Sequence, residues 1–248
     1  MALSLARQTE VFVRGFAATK SFTYPYIVER YRGLWVMRDA PHERSYERHQ
    51  ELVACGMEPA VALKALRSFR FSRGAFCTME GHRADLDAVR DTCKAAGMRL
   101  RARQPLFLAD PADAPRLRGP LKTVRITDEG QAAEIANLAR ARQVLSEHLG
   151  RDDSFRLYAA FDGRLPVGWV TSVPVGRDNW VSNLYVDPDY RGQRIGRALM
   201  SKMLRDDHKY GVRASVLLAS QAGARLYPHV GYRRTGTLLV FAPGPKWR

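Results

Sequence analysis

One stretch of the sequence combines the end of a strand, a tight turn and the start of a helix, and it limits the fold more than any other. It reads Asn183-Leu-Tyr-Val-Asp-Pro-Asp-Tyr-Arg-Gly-Gln-Arg-Ile-Gly-Arg-Ala-Leu199. Backbone N–H groups at the start of a helix have no partner within the helix, so they can bind an anion. Gly192 and Gly196 would let that backbone come close to a phosphate. The stretch therefore predicts a phosphate site where a strand passes into a helix.

Three arginines crowd the first turn of that helix: Arg191, Arg194 and Arg197. The helix dipole disfavours cations at this end, at a cost of a few tenths of a kcal/mol each, unless an anion lies among them. The alternative is a solvated arginine face on a surface helix. The order of strand, glycine-containing loop and helix favours the phosphate site.

The residues around this stretch follow helix and strand patterns in turn. Apolar periodicity and turn residues predict strands at 122–126, 155–161, 167–173, 180–186, 214–218 and 237–241, and helices at 128–142, 195–207 and 221–229. The strands on either side of helix 195–207 form a βαβ crossover, so part of the sheet should be parallel. We therefore predict an α/β (α+β) fold with a mixed, partly parallel central sheet flanked by helices. The apolar stripe expected to be buried on helix 128–142 consists of Ala132, Ile135, Ala136, Leu138 and Ala139.

A proline-rich segment divides the chain. Residues 109–120 contain three prolines and a glycine among small residues. Such a segment continues neither a helix nor a central strand, so we predict a linker there. The 248 residues are enough for two domains. We assign residues 1–108 to an amino-terminal domain and residues 121–248 to a second domain.

A second distinctive segment lies downstream and reads Ala219-Ser-Gln-Ala-Gly-Ala-Arg-Leu-Tyr-Pro-His-Val-Gly-Tyr232. Ser220 is a good N-cap for a helix that starts at this point. Ala224 and Tyr227 lie four and seven residues further on, so the three side chains would share one helical face. Small residues before Arg225 would permit the close approach of a ligand or a strand.

The two segments together resemble the GNAT superfamily of acetyltransferases. The family signature is Arg/Gln-x-x-Gly-x-Gly/Ala, which opens a helix after a strand that ends in a proline-containing turn. Arg191 fills its first position and Gly196 its last, whereas Arg194 replaces its first glycine. The second segment is similar to the family's short helix with Ala-x-x-Leu-Tyr, which ends in a Gly-aromatic pair. The resemblance covers about half of the chain.

The resemblance implies a GNAT-like fold and an acetyl-CoA site where the strands at Leu184 and Val216 splay apart. The pyrophosphate would lie on the loop amides, the pantetheine arm would pair with the strand at Leu184, and a backbone N–H of that strand would polarise the carbonyl. Tyr227 would protonate the leaving thiolate as the catalytic acid. The coenzyme contacts assigned on this basis are Leu184, Tyr185, Val186, Arg191, Gly192, Gln193, Arg194, Ile195, Gly196, Arg197 and Ser220. The general base stays open among three residues chosen by position, namely Glu147, His148 and Asp178.

The amino-terminal half contains a weak echo of the second segment. A predicted helix at 85–96 precedes Gly97, and one offset aligns Gly97 with Gly231 and Phe107 with Phe241. The same offset places Cys93 opposite Tyr227. This resembles a tandem GNAT arrangement, in which the first copy is degenerate and has lost its phosphate loop. A chance similarity is the alternative, since a helix followed by glycine and a strand is common.

Charge and cysteine content bear on partners and compartment. The net charge of +15 divides into +7 for residues 1–120 (20 basic, 13 acidic) and +8 for the rest (20 basic, 12 acidic). This even spread argues against a nucleic-acid-binding module, although the field would attract a polyanion such as coenzyme A. Cys55, Cys77 and Cys93 are odd in number and far apart, which predicts no metal site and a reducing cytoplasm. No apolar stretch approaches the roughly 20 residues of a membrane span.

We therefore expect an enzyme, an N-acetyltransferase that moves an acetyl group from acetyl-CoA to an amine by direct attack. The amine, a small molecule or a protein group, is not readable from the sequence, and a homodimer is left open. The first alternative is a non-catalytic acyl-CoA sensor, which the replacement of the signature glycine by Arg194 favours. The second is the nucleic-acid-binding module.

Overall fold

A computed structural model of the chain describes residues 3–41, 48–69, 71, 74–221 and 223–247. In these residues the α-helices are α1 (Leu5–Lys20), α2 (Pro59–Ser68), α3 (Leu86–Ala95), α4 (Glu129–Ala139) and α5 (Ile195–Lys209). The strands are β1 (Tyr26–Tyr31), β2 (Leu34–Asp39), β3 (Gln50–Cys55), β4 (Gly74–Gly81), β5 (Met98–Ala109), β6 (Lys122–Arg125), β7 (Arg156–Asp162), β8 (Leu165–Val175), β9 (Asp178–Val186), β10 (Ala214–Leu218) and β11 (Arg233–Pro243). Short 3-10 helices span Pro111–Asp113, Ser146–His148, Pro188–Tyr190, Gly223–Arg225 and Tyr227–Val230.

The chain forms two compact units that are interleaved in sequence. The first contains Met1–Leu106, Leu218–Gln221 and Arg234–Arg248, and the second contains Phe107–Leu217 and Ala222–Arg233. These units differ from the predicted contiguous domains, residues 1–108 and 121–248. The reason is that β11 pairs antiparallel with β4 and so belongs to the first unit. That each half is an autonomous domain stays a prediction.

The first unit is built on strands in the order β1-β2-β3-β4-β11-β5. The pairs β1–β2 and β2–β3 are antiparallel, and β3–β4 is parallel across the helix α2. Helices α2 and α3 cover one face, where Leu66 and Cys93 are fully buried in the same core as Phe241 of β11. Helix α1 packs against β1 to β4.

The second unit contains strands in the order β10-β9-β8-β7-β6. The β6–β7, β7–β8 and β8–β9 pairs are antiparallel, and β9–β10 is parallel across α5. The predicted βαβ crossover and the mixed, partly parallel sheet with flanking helices are therefore confirmed here. Helix α5 packs against β7 and β8, and α4 places Ile135 in a core with Leu157 and Trp169.

The burial predicted for α4 is partly wrong. Ile135 is fully buried, but Leu138 leaves 50% of its surface exposed. The helix ends at Ala139, and Arg140 adopts a left-handed conformation (φ 53°) that turns the chain away. The strip of α4 that contacts the sheet is consequently narrower than the apolar pattern predicted, and Leu138 lies at its edge.

The predicted linker is packed against α5. Pro111 is buried, and the Ser201 hydroxyl on α5 bridges two backbone groups of this segment. It donates to the carbonyl of Pro115 (2.5 Å) and accepts from the N–H of Leu117 (3.0 Å). Residues 109–120 therefore lack long regular structure, as predicted, but hydrogen bonds fix them to the second unit.

A buried ion pair ties α5 to the sheet of the second unit. The Arg156 guanidinium on β7 donates to Asp207 Oδ1 on α5 at 2.7 Å, and both side chains are almost fully buried. Ser172 and Asn179 donate further hydrogen bonds to the same carboxylate, at 2.9 and 2.5 Å. The Asp207 carboxylate thus accepts hydrogen bonds from three polar side chains inside an apolar layer, which is the condition for retaining a buried charge.

Candidate functional site

The loop between β9 and α5, residues 187–194, joins the end of a strand to the start of a helix, as the sequence predicted. Asp187 caps the 3-10 helix Pro188–Tyr190 by accepting the N–H of Asp189 at 3.0 Å. Gly192 and Arg194 then adopt left-handed conformations (φ 77° and φ 66°), and α5 begins at Ile195. No side chain caps the start of α5, and the loop residues from 191 to 194 are exposed. The first N–H groups of α5 are therefore open to an anion.

The arginines of this loop carry charge that no acidic side chain neutralises. In the described ranges, Arg191, Arg194 and Arg197 form no ion pair. Most of the ion pairs in these ranges contain an arginine, so the three differ from many other arginines of the chain. Arg191 instead donates from Nε to the carbonyl of Val186 at 3.0 Å. Gln193 donates from Nε2 to the carbonyl of Asp189 at 3.3 Å. The loop thus holds its own shape and leaves its positive charge free for a ligand.

A cavity of about 420 Å³ opens beside the loop, and half of its lining was not predicted from the sequence. Gly192, Gln193 and Arg194 form one side. Arg118, Gly119 and Pro120, from the segment taken as a linker, form the other. Gly119 sits against α5, where an added Cβ would lie 3.1 Å from the Cβ of Ala198. A proline-rich segment far along the chain carries no local signal for such a contact, so Arg118 could not be predicted.

The two glycines of the loop have different roles. An added Cβ at Gly192 would meet no atom within 4 Å, so this glycine serves the left-handed turn and the open approach to the loop. Gly196 is buried, and an added Cβ would lie 2.9 Å from Leu226 Cδ1. Gly196 therefore has a packing role, in which it admits Leu226 of the second motif, and its close approach to a phosphate stays a prediction.

The conformation of Arg194 leads to a testable change in stability. A left-handed backbone costs an L residue about 1 kcal/mol or more, which glycine avoids. We expect Arg194→Gly to raise the free energy of unfolding by about 0.5 kcal/mol, after allowing for the greater entropy of glycine in the unfolded chain. Urea unfolding checks this. Arg197→Gly, inside α5, is the matched control and should lower stability by about 1 kcal/mol. Destabilisation by both variants would contradict the strain at Arg194.

The strands β9 and β10 separate beyond the start of β9. Their parallel ladder pairs Ala214 with Asp178 and Val216 with Trp180 at its two ends. β9 continues for six residues beyond Trp180, to Val186, past the end of this ladder. The backbone of β9 therefore presents a free edge on that side in the described ladder, along the stretch that contains Leu184.

The same stretch of β9 contains a β-bulge in its pairing with β8, which was not predicted from the sequence. Trp169 of β8 pairs with Tyr185, and Thr171 pairs with Ser182, so Asn183 and Leu184 together oppose Val170. Asn183 has a left-handed backbone (φ 53°). A bulge rotates the local backbone and re-aims its groups. The amides of β9 consequently change direction beside Leu184, which was assigned to polarise a carbonyl.

The other predicted coenzyme residues on β9 and α5 differ in exposure. Leu184 and Val186 are half-buried, and Ile195 is buried at the start of α5. The Tyr185 ring stacks on Trp169 with centroids 4.4 Å apart, and Tyr185 is half-buried. Ser220 is exposed and belongs to the first unit, and its role stays a prediction.

The second motif is not the single helix predicted for 221–229. It forms two 3-10 helices, Gly223–Arg225 and Tyr227–Val230, and Ala222 lies outside the described residues. Pro228 explains the difference, because proline inside an α-helix removes a hydrogen bond and clashes with the preceding turn. The prediction that Ser220, Ala224 and Tyr227 share one helical face is therefore wrong, because the segment is not a single helix.

Tyr227 lies at the start of the second 3-10 helix and is 7% exposed. Its ring packs 5.6 Å from Phe107 and 5.7 Å from Tyr232, measured between centroids. Within the described part of the chain its hydroxyl forms no hydrogen bond, whereas the Tyr232 hydroxyl is 2.6 Å from Ser215 Oγ. Burial raises the pKa of Tyr227 to about 12. The phenol is therefore protonated at neutral pH and can donate its proton to a ligand.

The candidates for the general base are not equivalent. Asp178 begins β9, six residues before Leu184, and so lies about 20 Å along the strand from it. Glu147 and His148 occupy the 3-10 helix Ser146–His148, where His148 stacks on Phe155 with centroids 4.5 Å apart. Burial lowers the pKa of His148, which favours the neutral imidazole that a base requires. The distance along β9 thus disfavours Asp178 as the general base, and Glu147 and His148 stay as candidates.

The corresponding turn of the first unit is arranged differently. β3 leads through Gly56 into α2, as β9 leads into α5. The Glu58 carboxylate caps α2 and accepts the N–H groups of Ala60 (2.7 Å) and Val61 (3.4 Å). A protein carboxylate therefore already occupies the place where an external anion would bind.

The described residues contain no cluster of three or more His, Cys, Asp or Glu side chains able to hold a metal ion. None of their helices is both long and apolar enough to span a membrane.

Known proteins resemble this chain in sequence over one region and in fold over most of its length. The acetyltransferase (GNAT) domain family matches residues 153–234. A comparison with curated protein sequences gives no match. The structure of a GCN5-related N-acetyltransferase from Kribbella flavida is similar with a TM-score of 0.71 and 15% identity, covering 99% of this chain and 96% of that one. A GCN5-related N-acetyltransferase from Sphaerobacter thermophilus gives a TM-score of 0.57 and 16% identity, covering 86% and 78%. Identities this low show a shared fold.

Proposed function

Residues 153–234 of this chain match the acetyltransferase (GNAT) domain family, and from that premise we propose that the protein transfers an acetyl group from acetyl-CoA to an amine. The loop at 187–194 supports the proposal most strongly. It combines an uncapped helix start with arginines that pair with no acidic side chain in the described chain. Pyrophosphate is a dianionic ligand that such a loop would bind through backbone N–H groups and charge.

The remaining contacts follow from the same geometry. The free edge of β9 around Leu184 offers backbone groups to the pantetheine arm, and Arg118 extends the positive charge across the cavity beside the loop. The assigned contacts on Gln193 to Arg197 stay with the pyrophosphate. Gly196 also has a packing role, since it allows Leu226 to lie against the start of α5.

The proposed chemistry is a direct displacement. The amine nitrogen attacks the thioester carbonyl carbon, the new C–N bond forms and the C–S bond breaks. An amide of the β9 bulge donates to the carbonyl oxygen as negative charge develops there. Tyr227 gives its phenolic proton to the departing sulfur. The proton lost by the amine goes to a base, for which His148 and Glu147 are the candidates.

We propose further that the first unit is a degenerate GNAT-like copy that binds no coenzyme. Its strands β1, β2, β3 and β4 repeat the pairing of β7, β8, β9 and β10, including a parallel pair across a helix. Cys93 takes the position equivalent to Tyr227 and is fully buried on α3. Glu58 caps α2 and supplies negative charge where the second unit presents arginine.

A non-catalytic acyl-CoA sensor is the second candidate, and the substitution at Arg194 is the observation that favours it. Arg194 nevertheless adopts a left-handed backbone, the conformation that glycine favours, so the turn is preserved. The preserved turn and the protonated Tyr227 support the enzyme over the sensor. Turnover of acetyl-CoA with a panel of amines separates the two.

Coenzyme binding tests the proposal directly. We expect calorimetry to show one acetyl-CoA per chain and acetyl-CoA to raise the melting temperature, because a ligand of the folded state stabilises it by mass action. Arg191→Glu and Arg197→Glu should each weaken binding at least tenfold, roughly what loss of a charge-assisted contact of ~1.5 kcal/mol predicts. The weakening should diminish at high salt.

Arg213→Glu is the control, since it makes the same charge change at an exposed residue just before β10. Its affinity for acetyl-CoA should stay close to that of the wild type. No thermal shift at millimolar acetyl-CoA would count against the enzyme and the sensor together. Two coenzymes per chain would disprove the degenerate copy alone.

A further inference from the structure

The β9 bulge is held by a side chain from a distant segment. The Asn183 side chain donates from Nδ2 to Gln143 Oε1 at 3.0 Å. Gln143 lies between α4 and the 3-10 helix Ser146–His148, forty positions earlier in the chain, and is 4% exposed. The Gln143 amide in turn donates from Nε2 to the carbonyl of Ala141 at 2.9 Å. Both ends of this amide are therefore engaged, and the bulge is tied to the α4–β7 connection.

The backbone of Gln143 adds a second attachment. The Thr171 hydroxyl on β8 lies 3.4 Å from the Gln143 carbonyl oxygen, and Thr171 is fully buried. Thr171 is the residue next to Val170, which faces the bulge across the β8–β9 pair. Gln143 thus contacts both strands at the point where their register shifts.

Within the sheet, this part of β9 is supported from the β8 side. Among the described residues, its ladder with β10 ends at Trp180, whereas its ladder with β8 continues on both sides of the bulge. Asn183 adopts a conformation (φ 53°) that is disfavoured for L residues, although asparagine tolerates it better than most. Such a conformation persists when its surroundings over-determine it. The Gln143–Asn183 hydrogen bond is the side-chain contact that supports this conformation, together with the flanking pairs with β8.

We infer that Gln143 is a positioning residue for acetyl transfer, which holds the bulge at Asn183 and Leu184 so that its amides point at the thioester carbonyl. The inference rests on the proposed function. Gln143 does not touch the reacting atoms and acts through Asn183. Its removal should therefore affect ligands that carry the acetyl carbonyl and spare those that lack it.

Calorimetry with acetyl-CoA and with free coenzyme A provides the readout, because the two differ in the carbonyl that the bulge would contact. The wild type should bind acetyl-CoA about fivefold more tightly than coenzyme A, the effect of one net hydrogen bond. Gln143→Ala should bring this ratio close to one and leave the affinity for coenzyme A unchanged. Its kcat with the best amine of the panel should fall by about tenfold or more, since small displacements of a reacting group are costly.

A double-mutant cycle separates positioning from general damage. Asn183→Gly keeps the left-handed backbone accessible but removes the side chain that bonds to Gln143. It should reproduce the Gln143→Ala ratio, and the double variant should show no further loss. Gln131→Ala, at an exposed glutamine on α4, should behave as the wild type in both measurements.

The outcomes distinguish this inference from the proposed function. An active wild type with an unchanged ratio and kcat in Gln143→Ala would overturn the positioning role and leave the acetyltransferase intact. Equal losses of affinity for acetyl-CoA and coenzyme A would reduce Gln143 to a structural residue. A wild type that binds neither ligand would reject the proposed function, and the positioning role with it.

Discussion

Replacing Tyr227 with Phe is expected to lower kcat by a factor on the order of a hundred while the dissociation constant for acetyl-CoA stays nearly constant. The substitution removes the hydroxyl and keeps the ring that packs against Phe107 and Tyr232. Burial raises the pKa of Tyr227 to about 12, whereas a thiol has a reference pKa near 8.5. Proton transfer to the thiolate is uphill in water, so the benefit comes from a donor already placed where charge develops.

Tyr232→Phe is the matched control for this experiment. It removes a hydroxyl from the same aromatic cluster, but one that is bonded to Ser215 Oγ at 2.6 Å. We expect Tyr232→Phe to lose about 1 kcal/mol of unfolding free energy or somewhat more and to keep its kcat. Normal turnover per folded molecule in Tyr227→Phe would make Tyr227 a structural residue and would require water to protonate the thiolate.

The second large effect concerns the buried Arg156–Asp207 pair. Arg156→Met leaves the Asp207 carboxylate buried without its cation, and we expect it to lower the free energy of unfolding by about 3–5 kcal/mol. The double variant Arg156→Met/Asp207→Leu should lose much less than the sum of the single variants, because it buries no unpaired charge. Urea unfolding at neutral pH measures all three.

Arg151→Ala serves as the control, since its ion pair with Asp153 is largely exposed. Exposed pairs contribute little, so the expected change is within about 0.5 kcal/mol. Similar losses for Arg151→Ala and Arg156→Met would mean that burial does not set the energy of the Arg156–Asp207 pair. Near-additive losses in the double variant would show that the two residues act independently.

Local chemistry in the sequence was enough to predict much of the second unit. The predicted strand 214–218 coincides with β10, and the predicted start of helix 195–207 coincides with that of α5. The helix predicted to start at 128 begins one residue later, because Asp128 caps α4 by accepting the N–H of Gln131. These features follow from apolar periodicity, caps and turn residues that lie within a few positions of one another.

Features set by distant contacts could not be predicted in this way. The pairing of β11 with β4 depends on the arrangement of the whole sheet, and so does the presence of Arg118 beside the loop. The left-handed Asn183 sits within a stretch that reads as an ordinary strand. Its conformation becomes understandable only with Gln143 in view, forty residues away in sequence. Pro228, by contrast, was a local signal that should have ended the predicted helix.

The position of β11 has a consequence for how the chain acquires its structure during synthesis. β11 lies between β4 and β5, so the first unit needs residues that are synthesised after those of the second unit. Until then β4 and β5 lack their shared neighbour and expose unpaired backbone, the kind of edge that promotes association between chains. The first unit therefore cannot mature first in the usual order from the amino terminus. Completion of its sheet waits until the residues of the second unit have been synthesised, and β4 and β5 stay open to non-native pairing until then.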